Sequence, residues 1–599
     1  MSRPSTQARR PASARAPRRG SPNVRLRVGF LGIAIVLSIF AARLVQLQGI
    51  DPAQYAEMAA AEGTESVIIP SERGEILDRN GEPLAESVDA LMIVADPALT
   101  SDDASDLARI LSNRLDIDYI RTLERLRVED SRFQYVARQV PASLAADVVA
   151  DTREQGYSGL FTERDPLRVY PGKYTAANLV GFLGTPRRDG SARALAGLEA
   201  SFDEFLAGVD GEARYEVGAG NTIPLGDNTV TPAVDGTDLQ TTIDSDLQWY
   251  TQRVLQQTVE GAGGSSGMAV IMDRHTGELL SVADYPSYDA SQPQEFADQK
   301  HLFKSSALTD VYEPGSVEKV LTLASLIDAG YATNRTKITV PPVLNRQDRP
   351  IGDYWEHGTL RLTLAGVLAK SSNIGTVIAA DRFKRGELRR YLTAYGLGRR
   401  TGIGIGGETR GILPNGAEWT PQVDDRIAFG QSLSVNAIQM IAAVNTIANG
   451  GVRVDPSLIK GSATLDDGTR VGTDDATERQ VISEDAAHQT TLMMERVIDP
   501  EAGVAPGAAV PGYRVAGKTG TAQRVGESGV YDSTTVSFAG FAPAEDPRFT
   551  IYVVVHDPRE GSGGGSVAGP AFSKLMSYTL RRYAVPRSDT RPSQIPVEW

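Results

Sequence analysis

The sequence predicts a multi-domain α+β protein anchored in a membrane. Three observations carry that expectation. A continuous apolar run, residues 28–47, follows an arginine-rich start. A long mixed region, residues 48–235, then gives way at Gly236 to a segment with a different pattern. That segment, residues 236–585, puts alternating strand-like stretches at both ends and helical apolar periodicity between them, the arrangement of one antiparallel sheet flanked by helices.

Residues 1–27 carry eight arginines and no lysine or acid, in a chain whose formal net charge is −14. With proline, serine and alanine in the gaps, this stretch reads as a basic tail without a core of its own. The run VGFLGIAIVLSIFAARLVQL that follows is about the length a bilayer core needs. Arg43 lies near its far end, where a long side chain reaches the interface. Positive charge before the span predicts a cytoplasmic N-terminus and an exported bulk. A cleaved signal peptide is the competing reading, but no clear small-residue cleavage site follows the run, so a retained anchor is preferred. Basic residues beside a span are better explained as an orientation signal than as a nucleic-acid site. Cysteine is absent, which removes disulfides and thiolate metal sites, and the five histidines are scattered without ligand spacing. No metal or cofactor is expected.

Within residues 48–235, Arg73 to Ala85 reads as a strand with a turn at Asn80-Gly81. Arg73, Asp78, Arg79, Arg168 and Glu199 are expected to form an ion-pair cluster that fixes geometry and performs no chemistry. From Gly236 onward, Thr237 to Asp244 alternates as a strand, and Ser245 or Asp246 is expected to cap a helix running to about Val259. Gly263-Gly264-Ser265-Ser266-Gly267 matches a nucleophile-elbow pattern, but a helix precedes it and a strand follows, so it reads as a linker. Met268 to Asp273 and Glu278 to Tyr285 form a hairpin, and two later strands, 536–542 and 549–556, form another pair. A final helix is expected from Pro570 to about Tyr583, followed by a loose tail, residues 586–599.

The chemistry is organised around Tyr312-Glu313-Pro314-Gly315-Ser316-Val317-Glu318-Lys319 and the apolar helix behind it. Pro314 and Gly315 break the preceding chain, which places Ser316 at a helix N-terminus where unpaired N–H groups favour developing negative charge. Lys319 shares a helical face with the Ser316 hydroxyl, and a desolvated lysine can serve as the base a serine nucleophile needs. The pattern S-x-x-K alone is weak, since Ser457 to Lys460 repeats it. Its company decides. Ser371-Ser372-Asn373 follows Ser316, and Lys518-Thr519-Gly520-Thr521 follows that, in the order S-x-x-K, S-x-N, K-T-G. The stray Ser434-Val435-Asn436 precedes the second S-x-x-K, so the decoys fall in the wrong order.

On these three motifs the chain resembles the class B penicillin-binding proteins, and more narrowly the septal FtsI-type transpeptidases of the actinobacterial kind. RGEILDRNGEPLA, RVYPGKYTAANLVGFLG and GLEASFDEFLAG resemble the motifs of that family's non-catalytic pedestal. MDRHTGELLSVADYPSYD, YEPGSVEK, FGQSLSVNAIQ, KTGTAQ and GGGSVAGPAF resemble its penicillin-binding domain. Two departures stand out: Ala290-Ser291 where the family has Pro-Asn, and Asn436-Ala437 where it has Thr-Pro. The resemblance implies a pedestal over 48–235 and a transpeptidase domain over 236–585. It implies that Ser316 forms an acyl-enzyme with a D-Ala-D-Ala stem peptide and that Lys319 takes its proton. It further implies that Ser371 and Asn373 relay and orient, and that Lys518, Thr519, Gly520 and Thr521 bind the terminal carboxylate and complete the oxyanion hole. β-Lactams acylating Ser316 and an FtsW-type glycan polymerase as partner follow from the same resemblance. An elongation-type class B transpeptidase, a β-lactam sensor and a non-enzymatic division scaffold are the alternatives. A β-lactamase would need neither anchor nor pedestal, and no glycosyltransferase signature precedes Gly236.

Overall fold

The computed structural model describes residues 22–46, 64–184, 192–218, 221–222, 228–347, 349–525, 531–561 and 563–599. Most of the basic tail, the last residue of the predicted span and the first residues of the predicted pedestal lie outside them. The described chain divides into two compact units, residues 1–69 with 210–233, and residues 70–209 with 234–599.

The first unit contains a helix, α1 (Pro22–Val45), and an antiparallel sheet in which Thr64–Ile69 and Thr229–Thr231 flank Gly211–Gly218. Within α1 the stretch Leu26–Val45 has a mean hydropathy of 2.4 and is wholly exposed, which fits a single-pass membrane anchor.

The second unit is built on a five-stranded antiparallel sheet. A helix, α2 (Ser245–Gly261), leads into the hairpin β1 (Ser266–Asp273) and β2 (Leu279–Tyr285). The helices that follow include α3 (Lys319–Asp328), α4 (Asn373–Ala380), α5 (Ala437–Ala448) and α6 (Glu484–Ile498). The chain then returns through β3 (Ala516–Val525), β4 (Tyr531–Ala542) and β5 (Phe549–His556) and ends in α7 (Gly564–Arg582). Strand order is β2-β1-β5-β4-β3, so the K-T-G strand is an edge. Every residue of β5 is buried. Side chains alternate across a strand: Phe549 meets Tyr583 just beyond α7, while the next residue, Thr550, donates to Asn445 of α5 at 2.7 Å. The sheet is therefore covered on both faces, by α2 and α7 on one and by the wholly buried α5 on the other.

Residues 70–209 carry two further sheets, one ordering 134–141, 90–95 and 160–164, the other extending from 83–88 and 167–169 to Ile76–Leu77. Ile76–Leu77 pairs in parallel with Leu239–Gln240, so the backbone ladder runs from this region into the segment that carries the large sheet. Arg79 adds a bond to Tyr583 at 2.7 Å and an ion pair with Glu278 at 3.2 Å.

Several sequence expectations are corrected here. The predicted five-residue cluster is divided, with Arg79 on Glu278 apart from the other four. Glu199, fully buried, pairs with Arg73 and Arg168 at 2.7 Å each, whereas Asp78 closes the Asn80-Gly81 turn by accepting from the N–H groups of Asn80 and Glu82. The α2 cap is Asp244, not Ser245 or Asp246: its carboxylate accepts from Leu247 N–H at 3.1 Å and from Arg582 at 2.7 Å. Helix α7 starts at Gly564 and takes in Pro570, because three successive glycines let the chain enter against β4 before the proline is reached. Ser457 lies beyond the strand Val452–Val454 and makes an isolated bridge with Glu278, its hydroxyl donating to the Ile459 carbonyl. Residues 586–599 are not loose. Thr363 donates to Pro596 O at 2.6 Å and to Val597 O at 3.0 Å, Trp599 donates to Arg361 O, and the indole lies under Lys337 and Arg361.

Candidate active site

Ser316 sits in a single 3-10 turn, Gly315–Val317, that opens directly into α3. The turn is possible because Gly315 adopts φ +55°, and a Cβ there would stand 2.7 Å from the Thr521 carbonyl of β3. This close approach brings the serine loop and the edge strand together. Gly520 serves the same contact, since a Cβ on it would meet Ser537 Oγ at 2.2 Å and Pro314 O at 2.9 Å.

Lys319 begins α3 and is completely buried. Its Nζ donates to Ser371 O at 2.6 Å and Asn373 Oδ1 at 2.7 Å, and stands 3.4 Å from Ser371 Oγ. Burial pulls its pKa from 10.5 to about 7, against the opposing pull of Asp353 and Glu318. Glu318 is itself buried, which pushes its carboxyl well up. Lys518, equally buried, donates to Ser371 Oγ at 2.9 Å and to Thr519 O and Oγ1 at 3.0 Å. Burial, and after it repulsion from Lys319, holds Lys518 far below the usual lysine range.

Ser371 is thus the hub on which both lysines converge. It takes φ +61°, left-handed backbone that a serine rarely adopts and that persists where the surroundings enforce it. Ser316, Ser371, Asn373, Thr519 and Thr521 line one cleft of about 660 Å³, together with Tyr354, Phe429 and the residues 563–566 that open α7. Among the described residues Ser316 makes no hydrogen bond, which leaves its hydroxyl open to the cleft. Every residue singled out from the three motifs therefore lies in or directly behind this one site.

The penicillin-binding protein transpeptidase domain matches residues 267–577, and the penicillin-binding protein dimerisation domain matches residues 68–241. The chain belongs to the penicillin-binding protein transpeptidase family. Penicillin-binding protein PbpB of Mycolicibacterium smegmatis is 35% identical over 97% of this chain and 94% of its own length. Peptidoglycan D,D-transpeptidase FtsI of Escherichia coli is 31% identical, covering 92% of this chain and 90% of its own length. The crystal structure of penicillin binding protein 3 from Mycobacterium tuberculosis complexed with aztreonam superposes with a TM-score of 0.68 at 30% identity, over 89% of this chain and 100% of that one.

In this penicillin-binding transpeptidase one departure from the usual motifs has a local structural role. Asn436, where threonine is usual, caps α5: its side chain accepts from Gln439 N–H at 2.8 Å and donates to Thr409 O at 2.8 Å. The second S-x-x-K is far from the chemistry, with Lys460 donating to Arg79 O. What sequence reasoning missed is the loop before the S-x-N motif. Gly352 O accepts from Asn373 Nδ2 at 3.0 Å, and the Asp353 carboxylate accepts from Ser372 Oγ at 2.7 Å and Asn373 N–H at 2.5 Å. A lone aspartate in a polar loop carries no periodic or spacing signal, and only its folded neighbours distinguish it.

Proposed function

We propose that the chain is a peptidoglycan D,D-transpeptidase acting through a Ser316 acyl-enzyme in septal wall synthesis. One observation carries this reading: Ser316, both lysines, Ser371, Asn373 and the edge of β3 meet at a single cleft. Lys319, held near neutrality by burial, accepts the Ser316 proton as Oγ attacks the penultimate D-alanine carbonyl of a stem peptide. The oxyanion is met by the backbone N–H groups of Ser316 and of Thr521 on the open edge strand, each worth on the order of 3 kcal/mol in the barrier. As the tetrahedral adduct collapses, Ser371, bridged between the lysines, passes a proton to the departing D-alanine nitrogen. Lys518 and the hydroxyls of Thr519 and Thr521 bind the terminal carboxylate, with Gly520 leaving room on the strand. The amine of a second stem peptide then attacks the ester, its proton returning along the same path, and Ser316 is regenerated with a cross-link formed.

The domain reading that goes with this assigns a pedestal to residues 48–235, the transpeptidase to 236–585 and a C-terminal strap to 586–599. Arginine on the N-terminal side of α1 supports a cytoplasmic N-terminus and an extracytoplasmic cleft. An FtsW-type glycan polymerase is the expected partner. The septal assignment follows the FtsI-named relative, and an elongation role is the alternative.

Fluorescent penicillin tests the chemistry. The full chain in detergent is expected to label covalently, and Ser316→Ala to label not at all. Persistent labelling of that variant places the nucleophile elsewhere, and rapid turnover of the adduct makes the protein a β-lactamase. Localisation of a tagged copy to the septum or the lateral wall separates division from elongation.

A further inference from the structure

The loop residue Asp353 is tied to the S-x-N motif more densely than any capping role requires. Its side chain is fully buried, and both carboxylate oxygens are occupied. Oδ1 accepts from the backbone N–H of Asn373 at 2.5 Å and of Ile374 at 3.1 Å, the first free amides of α4. Oδ2 accepts from Ser372 Oγ at 2.7 Å and lies 3.1 Å from His357 Nε2. The preceding residue holds the other end of the same asparagine, Gly352 O accepting from Asn373 Nδ2 at 3.0 Å. A carboxamide has one acceptor oxygen and one donor nitrogen. With Nδ2 committed to Gly352, only Oδ1 can face Lys319, whose ammonium has donors alone and takes that oxygen at 2.7 Å.

Charge points the same way. Lys319 faces Asp353 from the loop, Glu318 from α3 and Lys518 from β3. Glu318 is buried with one oxygen taken by Thr322 Oγ1 at 2.7 Å, and its attraction for Lys319 ranks behind that of Asp353. Lys518 repels. Asp353 is thus the leading counter-charge to Lys319, with Tyr354 and His357 as the titratable neighbours on its own loop.

We propose that Asp353 is a positioning residue of the acylation step: seated by His357 and the α4 amides, it fixes the rotamer of Asn373 and provides the counter-charge against which Lys319 takes the Ser316 proton. The inference rests on Lys319 acting as base in the proposed reaction. Nothing covalent is asked of Asp353 itself.

The experiment is the pH dependence of acylation by fluorescent penicillin, measured on the full chain in detergent beside Asp353→Asn, with a melting curve for each. Asparagine keeps the size and one acceptor but removes the charge. The expected result is acylation slower by on the order of 100-fold, as for a base misplaced by about an ångström, with the acidic limb of the profile moved to lower pH because Lys319 loses its balancing charge. An unchanged profile, or a slower rate with the limb unmoved, makes Asp353 a structural cap and overturns the inference. If Asp353→Asn does not fold, His357→Ala decides, since it leaves the charge in place and removes one of the two partners of Oδ2. Acylation about tenfold slower with an unmoved limb is then expected, and unaltered kinetics overturn the inference. Failure of the underlying reading looks different, because the parent chain would then not label, or Ser316→Ala would.

Discussion

The Nζ of Lys319 lies 2.6 Å from the carbonyl oxygen of Ser371, a residue fifty-two positions away in sequence and held in left-handed backbone. The carbonyl pins the lysine, and the same residue's hydroxyl receives Lys518 at 2.9 Å. Both cations are thereby kept dry and within reach of one hydroxyl, the condition for proton transfer without solvent.

A first prediction concerns the base. Arginine at position 319 cannot be deprotonated, so Lys319→Arg should lower the acylation rate by roughly 10² to 10⁴ while leaving the chain folded. Stopped-flow acylation with a chromogenic cephalosporin checks it, and a rate within threefold of the parent would remove Lys319 from that role.

A second concerns pH. Acylation needs neutral Lys319, whose pKa is brought down to about 7, so the rate should rise through neutrality and level off above it. Stability also rises as Lys319 loses its proton, but over a wider window. Below about 7 both folded and unfolded chains hold the proton, and the cost of burying the charge is fully present. Between about 7 and 10.5 the unfolded chain binds more protons, so stability rises with pH across that window. Lys319→Met should therefore gain stability over the parent at low pH, and the gain should shrink as pH rises, as read from melting temperatures.

A third concerns the buried ion triad. Glu199→Gln leaves the Arg168 guanidinium uncompensated in the interior, while Arg73 keeps Asp203 at 2.7 Å. The expected loss is about 3–5 kcal/mol of unfolding free energy. Penicillin labelling of the folded fraction should be unchanged, because none of the three residues borders the cleft. Urea unfolding monitored beside labelling separates the two readouts.

A fourth concerns the C-terminal strap. Deleting residues 593–599 removes the bonds to Thr363 and Arg361 and the cation–π contacts of Trp599. The loss should be roughly 2 kcal/mol. Thr363 caps the helix Leu364–Ala369 that runs into Ser371, so acylation should slow as well. A truncated chain with parental melting temperature and rate would show that the strap is idle.

The legibility of this protein in its sequence follows the range of the interactions involved. Membrane anchoring is written in a continuous apolar run, and the hairpins in local alternation and turn residues. The grouping of Lys319, Ser371, Asn373 and Lys518 around the cleft that Ser316 lines was legible because short motifs in a fixed order named those positions. The α7 start was misread because a proline at a helix entry is a local signal, whereas glycines packing on β4 act across the fold. The ion-pair cluster was misread for a similar reason: five charges suggest pairing, but only the folded chain divides them among Glu199, the Asn80-Gly81 turn and Glu278.

By itself, then, the sequence determined what depends on neighbours along the chain: the apolar helix, the strands, the order of the three motifs and the chemistry those side chains can perform. Tertiary structure alone decided what depends on neighbours in space. It set the depth at which Lys319 lost its solvation, the left-handed turn that aimed Ser371 at both lysines, the docking of the last seven residues, and the role of Asp353. Desolvation and carboxylate geometry are properties of a packed site, and no stretch of chain holds them before it folds.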